Sequence, residues 1–379
     1  MQWRYPLCDL TLDEAEIAAV ADTLRSGWLT MGPQTEALEA EFAALLGIKH
    51  AIAVANGTAA LQLAYHLLDI REKQEAIMPS LTFVATANAL VVLGGRPRFV
   101  DIASILEPTI DPVAIEAAIT ASTRAIVIMH YGGYACRMEE IIAIARKYNL
   151  AVIEDCAHAP GAELQGRKLG TFGTIGCFSF FSNKNLTTGE GGMLVTENDE
   201  LAARARLLRS HGMTRSSWAR HQQAGASYDV LECGYNFRLD EMRATLGRIQ
   251  LHRLISNNAR RRYLSARYRS LLATVSNVVL PFQKAPERPA CHLMPILVPS
   301  ATRARVVAAL AQRGIQTSIH YRPVHSFTAY RDEREMNDSL LRTNEFAARE
   351  LTLPLYPDLP EEAIDEIAAV IGETLANQP

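Results

Sequence analysis

The chain has 379 residues, of which 49% are apolar and 21% charged, and its net charge is −3. That length exceeds one ordinary core and predicts a large domain with a smaller companion, and the composition excludes a disordered or fibrous chain. The near-neutral balance excludes an overall field for nucleic acid or anionic membrane; no apolar run reaches the length of a membrane span, and residues 1–6 lack the apolar stretch of a signal peptide. Cys8, Cys136, Cys156, Cys177, Cys233 and Cys291 are scattered without CxxC pairing, which predicts reduced thiols in a cytoplasmic protein.

Helical spacing over 12–25 and 34–47 is followed by recurring apolar runs at 51–55, 75–79, 97–102, 124–131, 150–155, 175–181 and 192–197. Amphipathic stretches separate most of them; Leu61, Ala64, Tyr65 and Leu68 follow the i, i+3, i+4, i+7 pattern. Seven short apolar strands with helical crossovers predict an α/β fold with a mostly parallel sheet covered on both faces. The polar stretch from Thr214 to Asp229 reads as a mobile loop. After residue 240 the pattern changes to a long helical segment, 239–272, the apolar run Cys291–Val298, a helix at 302–313, strands at 315–321 and 350–356, and a last helix at 361–375. Residues 1–240 therefore form the large domain and 241–379 a smaller α/β domain, joined by the long helix. Arg260, Arg261 and Arg262 read as a solvated helix face.

The chemistry concentrates around Lys184, which follows the apolar run Ile175–Phe181 and precedes three glycines around Glu190. A lysine at a rigid strand end among aromatic side chains is in a setting that lowers its pKa and frees its amine to attack a carbonyl. Asp155 closes another apolar run, Leu150–Asp155. An acid and a lysine at the ends of two core strands suggest pyridoxal 5′-phosphate, with the lysine forming the Schiff base and the aspartate holding the pyridinium proton. Several nearby residues each carry two readings. Asn56, Gly57 and Thr58 sit at a helix start, where a phosphate fits as well as an ordinary capped turn. His158 can bond the cofactor's phenolic oxygen or be a packed histidine. Phe83 can stack on a flat ring or belong to the core. Asn236 can reach a phosphate or cap the long helix. The run from His320 to His325 has no carboxylate or cysteine pattern beside it, so it reads as a substrate-facing edge and no metal site is expected.

Taken in order, these segments resemble the pyridoxal-phosphate-dependent sugar aminotransferases of the DegT/DnrJ/EryC1/StrS family, which have the type I, aspartate-aminotransferase-like fold. The resemblance runs nearly end to end, through Ser26–Pro33, Asn56–Leu61, Pro79–Thr86, Glu154–Ala159, Phe178–Gly192, Gly234–Arg238, His320–His325 and Leu353–Tyr356. It implies that Lys184 is the Schiff-base lysine and proton shuttle, that Asp155 pairs with the pyridine nitrogen and His158 with the phenolic oxygen, and that Phe83 stacks on the ring. It assigns phosphate binding to Ser179, Gly57 and Thr58, with Asn236 contributed by the neighbouring subunit of a homodimer with shared sites. Pyridoxamine phosphate would link the two half-reactions, L-glutamate would be the donor, and a nucleotide-linked keto sugar the acceptor. Substrate contacts are expected from Thr30, Arg215, Tyr321 and His325.

Many relatives have Gln at position 158 and His at position 181. The Ser-Phe-Phe-x-Asn-Lys form found here looks closer to the perosamine-synthase branch, which aminates C4 of a 4-keto-6-deoxyhexose. Amination of a 3-keto sugar or a cyclitol ketone is the alternative. Sugar 3-dehydratases carry histidine in place of the lysine, and Lys184 argues against that reading. A non-catalytic regulator retaining the fold would show a damaged site, whereas every position needed for catalysis is present.

Overall fold

The seven apolar runs pair into one sheet. In the computed structural model, which describes residues 3–376 apart from 11, 216, 223–226, 284–287 and 331–339, its order across space is His50–Val54, Gly192–Thr196, Ile175–Ser179, Ala151–Asp155, Thr123–Met129, Glu75–Pro79 and Arg96–Val100. Gly192–Thr196 runs antiparallel to both neighbours, and the other neighbouring pairs are parallel. The middle strands are buried on both faces, so they read as unbroken apolar runs; Ala125 to Met129 is one example.

Helix ends follow their caps. Asn56 Oδ1 accepts the Ala59 N–H at 2.8 Å and starts the helix Gly57–Leu67. Asp13 and Glu16 form a capping box at the start of Glu14–Arg25. The helix Pro33–Leu46 has no side-chain cap of its own. The buried carboxylate of Glu241, at the start of the long helix Glu241–Leu272, accepts the N–H groups of Gly32 (2.8 Å), Gln34 (2.7 Å) and Thr35 (2.9 Å) and the Thr35 hydroxyl (2.7 Å). One acid thus supplies acceptors to a helix start from about two hundred residues away in sequence, and welds the amino-terminal helices to the long helix.

The smaller carboxy-terminal layer departs from the sequence reading in one strand. Met294–Leu297 pairs with Glu350–Leu353 in an antiparallel ribbon. The 315–321 stretch contributes only bridges, Tyr5 to Ile315 and Ser318 to Thr352. Ile315 pairs with the start of the chain: Arg4 and Tyr5 N–H groups donate to Gly314 O, Gln316 N–H donates to Tyr5 O, and Tyr5 lies in the core of the smaller layer. The first residues therefore belong physically with the carboxy-terminal unit.

The three arginines do not share a solvated face, because successive helix residues point about 100° apart. Arg260 pairs with Glu361 at 3.0 Å, whereas Arg261 is buried and donates to Leu355 O at 2.7 Å. Part of Thr214–Asp229 lies outside the described residues. Within it Ser217–Gln222 is helical, and Trp218 and His221 pack on Trp28 with ring centroids 4.8 Å away in each case.

Candidate active site

The carboxyl ends of the parallel strands converge. Asp155 closes its strand in register with Met129 on one side and Cys177 on the other. Ser179 ends the next strand, and the helix from Gly57 starts against it. A Cβ on Gly57 would meet the Ser179 Cβ at 2.8 Å, and a Cβ on Gly192 would meet the Asn56 carbonyl at 2.6 Å. Both close approaches demand glycine, and they set the helix's amino-terminal N–H groups beside the Ser179 hydroxyl. Open α/β sheets bind ligands at this kind of edge.

Lys184 lies beyond its strand, which stops at Ser179, in a turn and not on the strand end. The turn is closed by Lys184 N–H donating to Phe181 O (2.9 Å) and Thr188 N–H donating to Phe180 O (2.9 Å). Its amine projects into the protein, 3.5 Å from His292 Nε2. Withdrawal from water pulls the Lys184 pKa down to about 8, and the negative charge of Asp155 partly opposes that fall. The His292 ring packs with its centroid 4.3 Å from that of His158, three residues beyond Asp155, so Lys184 and Asp155 share one site.

Asp155 is buried, and burial raises its pKa above the ordinary carboxylate value. Two neutral donors oppose the rise: Ala157 N–H on Oδ1 at 3.0 Å and Thr86 Oγ1–H on Oδ2 at 2.9 Å. No ion pair to Asp155 is present among the described residues. A buried carboxylate hydrogen-bonded only to neutral donors lacks a direct ion-pair partner, and a protonated ring nitrogen supplies one.

His158 is fully buried, and burial lowers its pKa well below the ordinary range, so the ring is neutral. Gly132 N–H donates to His158 Nδ1 at 3.2 Å. That puts the ring proton on Nε2, which donates to Tyr321 Oη at 2.8 Å. Tyr321 keeps its own O–H to give away. Phe83 is 54% exposed and its ring lies 5.9 Å from that of Tyr321, so it forms an open wall of the site.

The remaining expected residues divide. Thr58 is exposed at the second position of the Gly57–Leu67 helix. Asn236 is exposed, and its neighbour Phe237 accepts the Ala55 N–H at 2.8 Å, so this segment lies beside the Asn56–Gly57 turn of the same chain. His325 is buried, with Nδ1 on Ser80 Oγ at 2.7 Å and Nε2 on Asn344 Oδ1 at 3.1 Å, so both ring nitrogens have protein partners. Thr30 and Arg215 occupy exposed loop positions.

Sequence reasoning assigned no role to Thr86, Asn185 or His292. Thr86 stood inside the same segment as Phe83, but a lone hydroxyl carries no periodic signal. His292 lies in an irregular segment next to an apolar strand, and only its contact with Lys184 marks it.

Among the described residues, one cluster gathers potential metal ligands: His130, Glu154 and Cys156. Its acceptors are already in use. Glu154 receives the N–H groups of Gly170 (2.8 Å) and Gly173 (2.5 Å) and the Nε2 of His130 (3.0 Å), while His130 Nδ1 receives the Cys136 N–H. This is a hydrogen-bonded knot under the strand ends. A cleft of about 830 Å³ lies away from Lys184, between Trp28, Trp218, His221, Glu241, Arg248 and His252.

This arrangement has counterparts in known proteins. Residues 10–372 match the DegT/DnrJ/EryC1/StrS aminotransferase family. The chain belongs to that family. It is 38% identical over 371 residues, covering 96% of this chain and 95% of the relative, to the spore coat polysaccharide biosynthesis protein SpsC of Bacillus subtilis. Among solved structures it is similar to DesV of S. venezuelae, crystallised with a ketimine intermediate (37% identity, TM-score 0.88, 96% and 95% of the two chains). It is also similar to PseC of Helicobacter pylori, an aminotransferase in pseudoaminic acid biosynthesis (30% identity, TM-score 0.91, all of both chains). The chain is accordingly a pyridoxal-phosphate-dependent aminotransferase of type I fold. The residues present fit that cofactor: an amine with a lowered pKa, a buried acid hydrogen-bonded only to neutral donors, and a serine beside a helix start for phosphate. No helix among the described residues is long and apolar enough to cross a membrane.

Proposed function

We propose that this family member transfers the amino group of L-glutamate to C4 of a nucleotide-linked 4-keto-6-deoxyhexose, supplying an amino sugar for a surface polysaccharide or glycosylated metabolite. The observation that carries the reading is the Lys184 amine, 3.5 Å from His292, whose ring packs on that of His158, three residues beyond the buried carboxylate of Asp155. Transfer to a sugar is supported by SpsC and PseC, whose names place them in polysaccharide and pseudoaminic acid biosynthesis. Amination at C4 is supported by the Ser179-Phe180-Phe181-Ser182-Asn183-Lys184 form of the lysine segment.

When bound covalently through Lys184, pyridoxal phosphate supplies the electron sink that makes the donor's Cα–H acidic. Released from that bond, Lys184 Nζ takes the Cα proton of glutamate. After 2-oxoglutarate leaves, it delivers a proton to the sugar carbon in the return half-reaction. The amine has to be neutral for the first step, and burial provides for this: with a pKa near 8 a sizeable neutral fraction exists at mildly alkaline pH. Asp155 holds a positive ring N–H. The Ser179 hydroxyl and the N–H groups of Gly57 and Thr58 hold phosphate. Phe83 would pack against the bound ring, and His158 with Tyr321 would bond its phenolic oxygen. In this reading Asn236, whose side chain is exposed, contributes to the site of a second copy in a homodimer working in the cytoplasm.

The test is incubation with dTDP-, GDP- and UDP-linked 4-keto and 3-keto sugars, together with a cyclitol ketone and isotope-labelled glutamate, and location of the new amine by NMR. The reading predicts label at C4 of one 4-keto-6-deoxy sugar. Label at C3 or on the cyclitol moves the acceptor, and no label with any ketone contradicts a sugar aminotransferase.

A further inference from the structure

The Lys184 amine is not aimed by the turn alone. The contact of Lys184 Nζ with His292 Nε2, at 3.5 Å, is the outer end of a hydrogen-bond chain whose direction can be deduced. At its inner end the carbonyls of Pro160 and Ala290 can only accept. Asn258 Nδ2 donates to Pro160 O at 2.9 Å, which leaves Asn258 Oδ1 to accept from Asn185 Nδ2 at 2.8 Å. Asn185 Nδ2 gives its other hydrogen to Ala290 O at 2.9 Å, so Asn185 Oδ1 is an acceptor toward His292 Nδ1 at 3.0 Å. His292 Nδ1 therefore carries the ring proton, and Nε2 presents a bare lone pair to the lysine.

Every group in that chain is buried: Asn185, Asn258 and His292 are each 6% exposed or less. A second positive charge is disfavoured there. His158 lies with its ring centroid 4.3 Å from that of His292, and Lys184, Arg261 from the long helix and His320 all act against protonation of His292, which burial already opposes. Cys8 and Thr352 line the small cavity next to the ring together with His320. The imidazole stays a neutral acceptor while Lys184 changes charge beside it.

We propose that His292 is a positioning residue for Lys184: a neutral acceptor, locked in one tautomer by Asn185 and Asn258, that receives an N–H of the lysine amine whenever it is not bonded to the cofactor. No bond is made or broken at His292. It holds the amine at the mouth of the site with its lone pair free, ready to take a proton from the donor's Cα. The chain also ties that aim to the long helix, because Asn258 is part of it. The inference rests on Lys184 being the cofactor lysine, and its test is partly independent of that reading.

An acceptor favours the ammonium form over the amine, so its loss lowers the lysine pKa further. In the full chain without added cofactor, the pH dependence of Lys184 acylation by acetic anhydride, read by mass spectrometry, gives that pKa directly. The expected midpoint is near pH 8 in the native protein, lower by about one pH unit in His292→Phe, and close to native in His292→Gln, which restores an acceptor. With pyridoxal phosphate and glutamate, the single-turnover rate of cofactor conversion is expected to fall roughly 10- to 100-fold in His292→Phe, with much of it recovered in His292→Gln. An unmoved acylation midpoint in His292→Phe, or equal slowing in the two variants, overturns the proposal. Should His292→Phe fail to fold, His292→Leu takes its place with the same criteria. The acylation result stands whatever lysine the cofactor uses, whereas cofactor on another lysine would refute only the underlying reading.

Discussion

Replacing Lys184 with methionine should make the cofactor-free protein more stable while abolishing its chemistry. Lys184 sits in a site that lowers its pKa from the ordinary 10.5 to about 8, with burial as the main cause. At 1.36 kcal/mol per pH unit, that difference corresponds to roughly 3 kcal/mol of penalty for keeping the charged amine folded. The sign follows from linkage. A group whose folded pKa is depressed contributes fully above its unfolded value and loses that contribution as pH falls through the folded value. Native stability from this group therefore falls between about pH 10.5 and pH 8 and stays low below it. Methionine has nearly the length of lysine and no charge, so Lys184→Met should gain up to about 3 kcal/mol at pH 6.5 and almost nothing at pH 10.5. Urea unfolding of both proteins at the two pH values measures this, and titrating groups outside the reach of Lys184 cancel in the difference. A difference between native and Lys184→Met that does not change with pH would refute the idea that burial of a chargeable amine sets this site's electrostatics.

Three further outcomes follow from the same contacts. Asp155→Asn should fold and bind cofactor yet slow the glutamate half-reaction roughly 100- to 10,000-fold, read by stopped-flow absorbance. Because burial raises the Asp155 pKa, the native protein loses stability relative to this variant as pH rises through that value, which paired unfolding curves at pH 4 and pH 8 would reveal. Ser179→Ala should weaken pyridoxal phosphate binding about tenfold or more by removing one hydroxyl from the phosphate cradle, measured by equilibrium titration. Glu241→Ala leaves the start of the Pro33–Leu46 helix without its borrowed acceptor and should cost about 3 kcal/mol or more in chemical unfolding, while cofactor chemistry at Lys184 persists.

The sheet was legible because its central strands are buried on both faces and are apolar at most positions, which leaves a signal that survives without knowing partners. The run 175–181 shows the limit of that signal. Phe180 and Phe181 look like strand residues, but the strand ends at Ser179 and the chain turns to bring Lys184 inward. The 315–321 stretch looks like a strand by composition, yet its partners are the chain's own beginning and Thr352, contacts that periodicity cannot express. Asp155 drew notice because it closes a hydrophobic run with a group that such a run does not tolerate without a reason, and Lys184 because it follows one within three residues, in the turn before a glycine cluster. His292, Asn185 and Asn258 were not, since their role lies in a bonding direction that spans over a hundred residues of sequence. His325 shows another contact the motif does not reveal: both of its ring nitrogens are bonded within the protein, to Ser80 and Asn344.

The central claim is that one lysine binds the cofactor beside one buried acid. It is tested most directly by adding pyridoxal phosphate, reducing with borohydride and mapping the stable adduct by peptide mass spectrometry. The adduct should fall on the peptide containing Lys184 and vanish in Lys184→Ala, with no other lysine labelled in its place. Stoichiometric labelling of a different lysine in the native protein would contradict the account.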